Sequence, residues 1–332
     1  MSDTCKSFSF VVMAAVMHLL VDGICLCALY VMSKTLFMSN VFSVFMTYNV
    51  LAFMSQPFTG ILVDKMKRMH WILIWAILFL IFAVLTEIFI VSNKSFYAEN
   101  TPYIVAILLA VGNSLFHVWG GKQTVIKTGN DMRTLGMFVS TGAFGLSLAL
   151  VLHSWTILFV FLITLCLLAT LYIICDIIYS HKMTINDDSF DSNSFIIINN
   201  KTLTYTLMAI STIAVFVMFR SYIGETFSAE IEKNKSIILL LGAIAMFGKM
   251  SGGWIVKIGG IIKTLIIVLI CVTITYLFKS SGLSIVFLGV FMINITMPIT
   301  LYLANAVLKE REGLAFGILA AALIPGYILA II

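Results

Sequence analysis

Charge is what this chain most lacks. Only 11% of its 332 residues are Asp, Glu, Lys or Arg, against roughly 25% in a soluble domain. That shortage excludes an ordinary water-soluble protein. Proline is scarce, at 4 residues, and so is cysteine, at 6. Five of the cysteines (Cys25, Cys27, Cys166, Cys175, Cys271) fall inside apolar runs, and Cys5 lies outside them. Cys25-x-Cys27 is not a metal spacing and no disulfide framework is implied, so these read as small apolar residues. No Gly-x-x-x-x-Gly-Lys-(Ser/Thr) stretch occurs, so ATP hydrolysis on this chain is not expected. No metal-spaced His/Asp/Glu set and no nucleophile elbow is present, so neither a metal nor a cofactor is expected. A cleaved signal peptide is not expected either. The first apolar run is too long, contains Asp22 and lacks a small-x-small site.

What the chain has is apolar length. It is 61% apolar, with 26 Phe and 18 Met. Runs of about 20 apolar residues cross a hydrocarbon core of ~30 Å. Eleven occur, at 9–32, 37–63, 70–91, 103–121, 134–152, 154–179, 204–223, 236–256, 261–279, 283–308 and 313–332. Short links between them suit antiparallel helical neighbours. A membrane barrel would instead show ~10-residue alternating segments. The fold class is therefore all-α integral membrane with 11 predicted transmembrane helices. The longest polar break, 181–203, divides it into a six-helix bundle (1–180), a linker and five further helices (204–332).

With the N-terminus in the cytoplasm, thirteen of the 20 Lys and Arg fall on the inner side and five on the outer. Arg220 and Lys249 lie inside helices. This bias fixes the orientation and accounts for the net charge of +5, so no nucleic acid is needed as a partner. A multi-pass plasma membrane protein (bacterial inner membrane) is expected, monomeric and in contact with membrane lipid. With eleven helices its C-terminus falls at the outer face, and a twelfth helix is absent or truncated.

Between the second and third runs stands Gly60-Ile61-Leu62-Val63-Asp64-Lys65-Met66-Lys67-Arg68. It resembles the helix 2–3 loop signature of the major facilitator superfamily of transporters, Gly-x-x-x-Asp-(Arg/Lys)-x-Gly-(Arg/Lys)-(Arg/Lys). Lys67 stands where the family has its second glycine. Gly253-Trp254-Ile255-Val256-Lys257-Ile258-Gly259 is a faded copy in the second half, with Lys257 in the place of Asp64. The resemblance implies a two-bundle helical fold built from repeated halves, with the ligand site near midplane where they meet.

A second stretch, Gly112-Asn113-Ser114-Leu115-Phe116-His117-Val118-Trp119-Gly120-Gly121, looks like the Gly-x-x-x-x-Phe-His-Pro-x-Gly segment of the fosmidomycin-resistance-like branch. Val118 replaces the proline. Arg220-Ser221-Tyr222-Ile223-Gly224 resembles the start of that branch's second half. The small-residue stripe Gly136, Gly142 and Gly145 suits close helix packing. The proline that superfamily antiporters carry in this helix is missing.

Ionisable residues deep in a membrane helix are costly and face partners or water. Asp22 and Arg220 lie at similar depths in the first and seventh runs, which line the central cavity in the family. They are expected to face one cavity and to pair when it is empty, as a transport element or as a structural ion pair. His18 is one turn before Asp22 on the same face. It is either a proton-coupling element or a histidine bonded within the bundle. Asn113 and His117 share a face at i, i+4. Asn49, Gln56, Asn294 and Asn305 line the cavity or bond across helices. Glu87 and Asp176 are near helix ends, within reach of water. Pro298 is expected to kink the tenth run.

Asp64 ends a helix at its partly negative end, where an acid is disfavoured. It therefore needs a positive partner: Arg133, or the N-terminus of the eleventh run near Glu312-Gly313. In the family this acid latches the cytoplasmic side. Gly60, Asp64, Lys65, Arg68 and Arg133 form the candidate latch, one-sided because Lys257 replaces the second acid.

The function these features imply is a secondary transporter moving a small solute by alternating access. The solute would be an organic anion, a zwitterionic metabolite or a drug, and protons are favoured over sodium as the coupling ion. The candidate pathway is His18, Asp22, Asn49, Asn113, His117, Arg220 and Asn294. The alternatives are a non-transporting sensor or assembly protein on the same fold, and a lipid-modifying enzyme using His117 and Asp22.

Overall fold

The computed structural model describes residues 3–36, 40–93, 100–183, 200–230 and 234–332. Most of the predicted linker, and Lys94 and Lys233, lie outside the described residues. So do the side chains of Lys6, Lys182 and Lys201. The described residues form thirteen α-helices and a 3-10 turn at Lys279–Ser281. In the first half these are α1 (Asp3–Thr35), α2 (Val41–Met54), α3 (Gln56–Lys65), α4 (His70–Ser92), α5 (Thr101–Thr128), α6 (Met132–Leu152) and α7 (Trp155–Met183). The second half holds α8 (Asn200–Ala229), α9 (Lys235–Gly259), α10 (Ile261–Leu277), α11 (Leu283–Val307), α12 (Glu312–Ala321) and α13 (Leu323–Ile331).

Among the described residues nine spans are long and apolar enough to cross a membrane, the last of them α12–α13. The shorter apolar α10 and the α2–α3 pair bring the passes to eleven. Passes two and eleven are each expected as one helix and are each broken near the middle. Pass two breaks at Ser55, where Pro57 sits in the first turn of α3. Pass eleven breaks at Ala322, with Pro325 just inside α13. Proline lacks the N–H a continuing helix needs but fits a helix's first turn. Pro298, by contrast, lies within an α11 that runs on to Val307.

The fold is an all-α, two-bundle membrane architecture. Its halves meet along two seams: α3 packs on α12, and α6 packs on α9. Glycine permits both. A side chain at Gly60 would run into the backbone of Gly313 and Leu314, and one at Gly253 into the backbone of Met132 and Arg133. The α12 residues Ala315, Phe316 and Leu319 join the apolar core of the first half. Phe227, Val268, Val272 and Val290 form a separate core in the second.

Among the described residues, four hydrogen bonds join the halves. The amide groups of Gly313 and Leu314 donate to Asp64, Asn130 donates to the Tyr302 carbonyl, and Asn305 donates to Asn130. All four lie at the end of the bundle that carries the α3–α4 turn, so that end is closed.

Candidate functional site

A buried polar cluster lies between α1, α5 and α6. Asp22 stands one helical turn beyond His18 on α1, and Asn113 and His117 stand one turn apart on α5. The i, i+4 spacing puts each pair on one face, and the two faces meet. Asn113 Nδ2 donates to Asp22 Oδ1 at 2.9 Å, and His117 Nε2 lies 3.0 Å from the same oxygen. His18 Nε2 lies 3.3 Å from Oδ2. All four residues are buried.

The outer partners bear on where the hydrogens sit. His18 Nδ1 is 2.7 Å from the Phe138 carbonyl, which can only accept, so Nδ1 carries hydrogen. A neutral His18 would then turn its Nε2 lone pair on a carboxylate oxygen. The contact is attractive only if a proton sits between His18 Nε2 and Asp22 Oδ2. His117 differs. Gln56 Nε2 donates to the Ala52 carbonyl at 3.0 Å and faces His117 Nδ1 at 3.5 Å. His117 Nδ1 is thereby the acceptor, and its Nε2–H points at Asp22. The break at Ser55 places Gln56 here, since it opens α3. Gly142 of α6 closes the cluster: a methyl group there would meet Asp22 Oδ2 and His18 Nε2.

His18, Asp22 and His117 have ligand atoms within 4.8 Å of one another and could hold a metal ion. The sequence gives no metal spacing because the set is assembled from two helices distant in the chain. A metal would need the Nε2 lone pair of His117, and Gln56 turns that nitrogen's hydrogen inward instead. The chemistry of the set fits a proton better.

The expected Asp22–Arg220 pair does not form. Asp22 is held by α5, and Arg220 instead donates to Thr300 Oγ1 on α11 at 3.1 Å. Lys249, from α9, comes within electrostatic reach of Arg220, Asp22 and His117. Asn113 and His117 belong to the cluster. Asn49 is half-buried on α2, and Asn294 donates to the Val290 carbonyl of its own helix at 2.8 Å. Glu87 is the other correction. It is fully buried, and among the described residues neither carboxyl oxygen has a hydrogen-bond partner, because α4 turns this residue inward rather than toward water. Asp176 is half-buried and pairs with Lys127 at 3.3 Å.

One aromatic ring separates the cluster from the closed end. Phe316 of α12 lies over Gly121, with ring centroids 6.5 Å from His117 and 6.2 Å from Phe138. Beyond it, Asp64 accepts from the amides of Gly313 and Leu314, both at 2.9 Å, and pairs with Lys122 at 3.0 Å. The acid ends α3 at the unfavourable pole and caps α12 at the favourable one. Lys122 was missed because it reads as a loop residue; the structure buries it at the end of α5. Arg133 is not a partner of Asp64. It forms a bidentate pair with Asp131, two residues before it, and its guanidinium lies 5.2 Å from the Trp254 ring of α9. Lys65 and Arg68 are exposed on the turn.

No family model matches the chain, and no curated protein matches it in sequence. Solved structures do. The fucose:proton symporter FucP of E. coli, in a variant form, superposes with a TM-score of 0.61 at 13% identity, covering 97% of this chain and 90% of that one. A bacterial homologue of the iron transporter ferroportin, in an outward-facing state, gives 0.57 at 14%, with the same coverage. At these identities the likeness shows the fold alone, a major-facilitator-type two-bundle helical fold.

Proposed function

We propose that this protein is a secondary transporter that moves a small solute by alternating access, with a proton as the coupling ion. The His18–Asp22 contact carries the reading: its hydrogen-bond pattern is the one a shared proton makes, inside a two-bundle fold. With the proton, the cluster of His18, Asp22 and His117 is neutral; without it, the cluster is an anion facing Lys249. Protonation therefore changes the field across the seam between the halves, which is what coupling needs. The two solved structures compared above are transporters, one a proton symporter and one a homologue of an iron transporter, and neither supports the enzyme alternative. The Lys and Arg bias supports placing the closed end in the cytoplasm.

The branch resemblance, uptake or efflux, and the pathway roles of Asn49 and Asn294 are part of the proposal. The test is solute flux in proteoliposomes at two pH values, with Asp22→Asn beside the wild type. Flux driven by a pH gradient should fall at least tenfold in the variant, while solute exchange without a gradient persists. Gradient-driven flux unchanged in Asp22→Asn would refute proton coupling at this site.

A further inference from the structure

Arg220 and Lys249 are two cations in the membrane interior with no anion assigned to them. Arg220 is 7% exposed. Among the described residues its one hydrogen bond is to the hydroxyl of Thr300, which itself donates to the Met297 carbonyl. A guanidinium has five N–H donors, so this leaves most of them unmet by protein. Among the described residues no carboxylate lies within ion-pair distance of Arg220 or Lys249. Asp22 is taken by His18, His117 and Asn113. Asp64 is taken by Lys122, and Asp131 by Arg133. Glu225 is five residues beyond Arg220, on another face of α8.

A buried charge without a partner costs several kcal/mol. Proteins retain such groups in membranes where they serve a solute or an ion. The planar guanidinium matches the two oxygens of a carboxylate or phosphate, and an ammonium within electrostatic reach of it adds a second point of charge. The same pair repels a divalent cation. Thr300 orients the guanidinium from α11, and Lys249 enters from α9, whose carbonyl at that residue packs on Gly136 of α6.

We infer that Arg220, Lys249 and Thr300 form an oxyanion-binding site, so that the transported solute carries a carboxylate or phosphate group. This rests on the transporter reading and narrows its solute to an anion. Purified protein in nanodiscs is titrated with inorganic phosphate, succinate and, as controls, neutral succinamide and manganese(II). At least one of the two anions should raise the melting temperature and bind, and neither control should. Arg220→Gln and Lys249→Gln should each weaken that binding tenfold or more. Without ligand, Arg220→Gln should melt at or above the wild-type temperature, because it removes an unpaired buried charge.

Three outcomes overturn the site: neither anion binds the wild type, binding survives in both variants, or unliganded Arg220→Gln melts well below the wild type. Anion binding without flux in proteoliposomes would keep the site and discard the transporter. Flux of a neutral or cationic solute with no anion bound would do the reverse.

Discussion

Gly142 shows how closely the polar cluster is fitted. Its bare Cα lies against two facing atoms, Asp22 Oδ2 and His18 Nε2. A methyl group at this position has to push both away. Overpacking of this kind costs about 1–3 kcal/mol, and here it falls on the proton site. Gly142→Ala should keep the helical fold by circular dichroism yet lose most gradient-driven flux. Wild-type flux in that variant would contradict the geometry. At this scale the sequence was partly legible. Spacing alone put His18 with Asp22 and Asn113 with His117. Nothing in the spacing could say that the two pairs face one another. Nor could it say that Phe138 and Gln56 decide which nitrogens carry hydrogen, since those contacts join residues 61 to 120 positions apart. The Asp22–Arg220 pair failed for the same reason: equal depth in two helices does not fix facing, and α5 supplied nearer partners.

The two seams are built on one plan with different chemistry. In each, the glycine of the loop motif admits the first turn of a helix from the other half. At the first seam, Asp64 caps that turn across the interface. At the second, α6 is capped by its own Asp131, whose side chain accepts from the Arg133 amide at 3.0 Å. Arg133 then reaches α9 by lying over Trp254. Lys257 thus has no acid in its own position, and the acid at this seam is Asp131 on the facing helix, held within α6 by Arg133.

Asp64→Asn keeps an acceptor for α12 but loses the charge pairing with Lys122. Breaking a buried pair costs about 3–5 kcal/mol, and this one is largely buried, so accessibility of cysteines at the turn end to a water-soluble thiol reagent should rise severalfold. Unchanged labelling would refute the latch. Trp254→Ala removes a cation–π contact of about 0.5–1 kcal/mol and should give a smaller rise. The second seam should also be insensitive to pH near neutrality. Burial of Asp131 works against its charge, but the hydrogen bonds and charge of Arg133, then the charge of Lys257, outweigh it and hold its carboxyl below the usual range. A depressed folded-state value means the contribution is fully present above the unfolded value, about 3.9. It is lost as pH falls through the folded value. The Trp254→Ala effect on labelling should thus be the same at pH 6 and pH 8.

Over the whole molecule, eleven passes in two bundles were legible, because apolar length and basic loops follow directly from the membrane. The breaks at Ser55 and Ala322 were not. Both fall inside continuous apolar runs, and only packing shows that α3 and α12 separate from their outer portions to meet beneath the polar cluster. This arrangement leaves one end closed by Asp64, Phe316 and Arg133. Alternating access requires that end to open as the other closes. Spin-label distances in nanodiscs test this most directly, in a cysteine-free background with pairs Lys67→Cys/Lys309→Cys at the turn end and Ser33→Cys/Ser228→Cys at the opposite end. The account predicts one short turn-end distance in the otherwise wild-type protein. Adding Asp64→Asn should bring in a longer turn-end population together with a shorter one at the opposite end. A turn-end distance indifferent to Asp64→Asn, or one that lengthens with no change opposite, would contradict it.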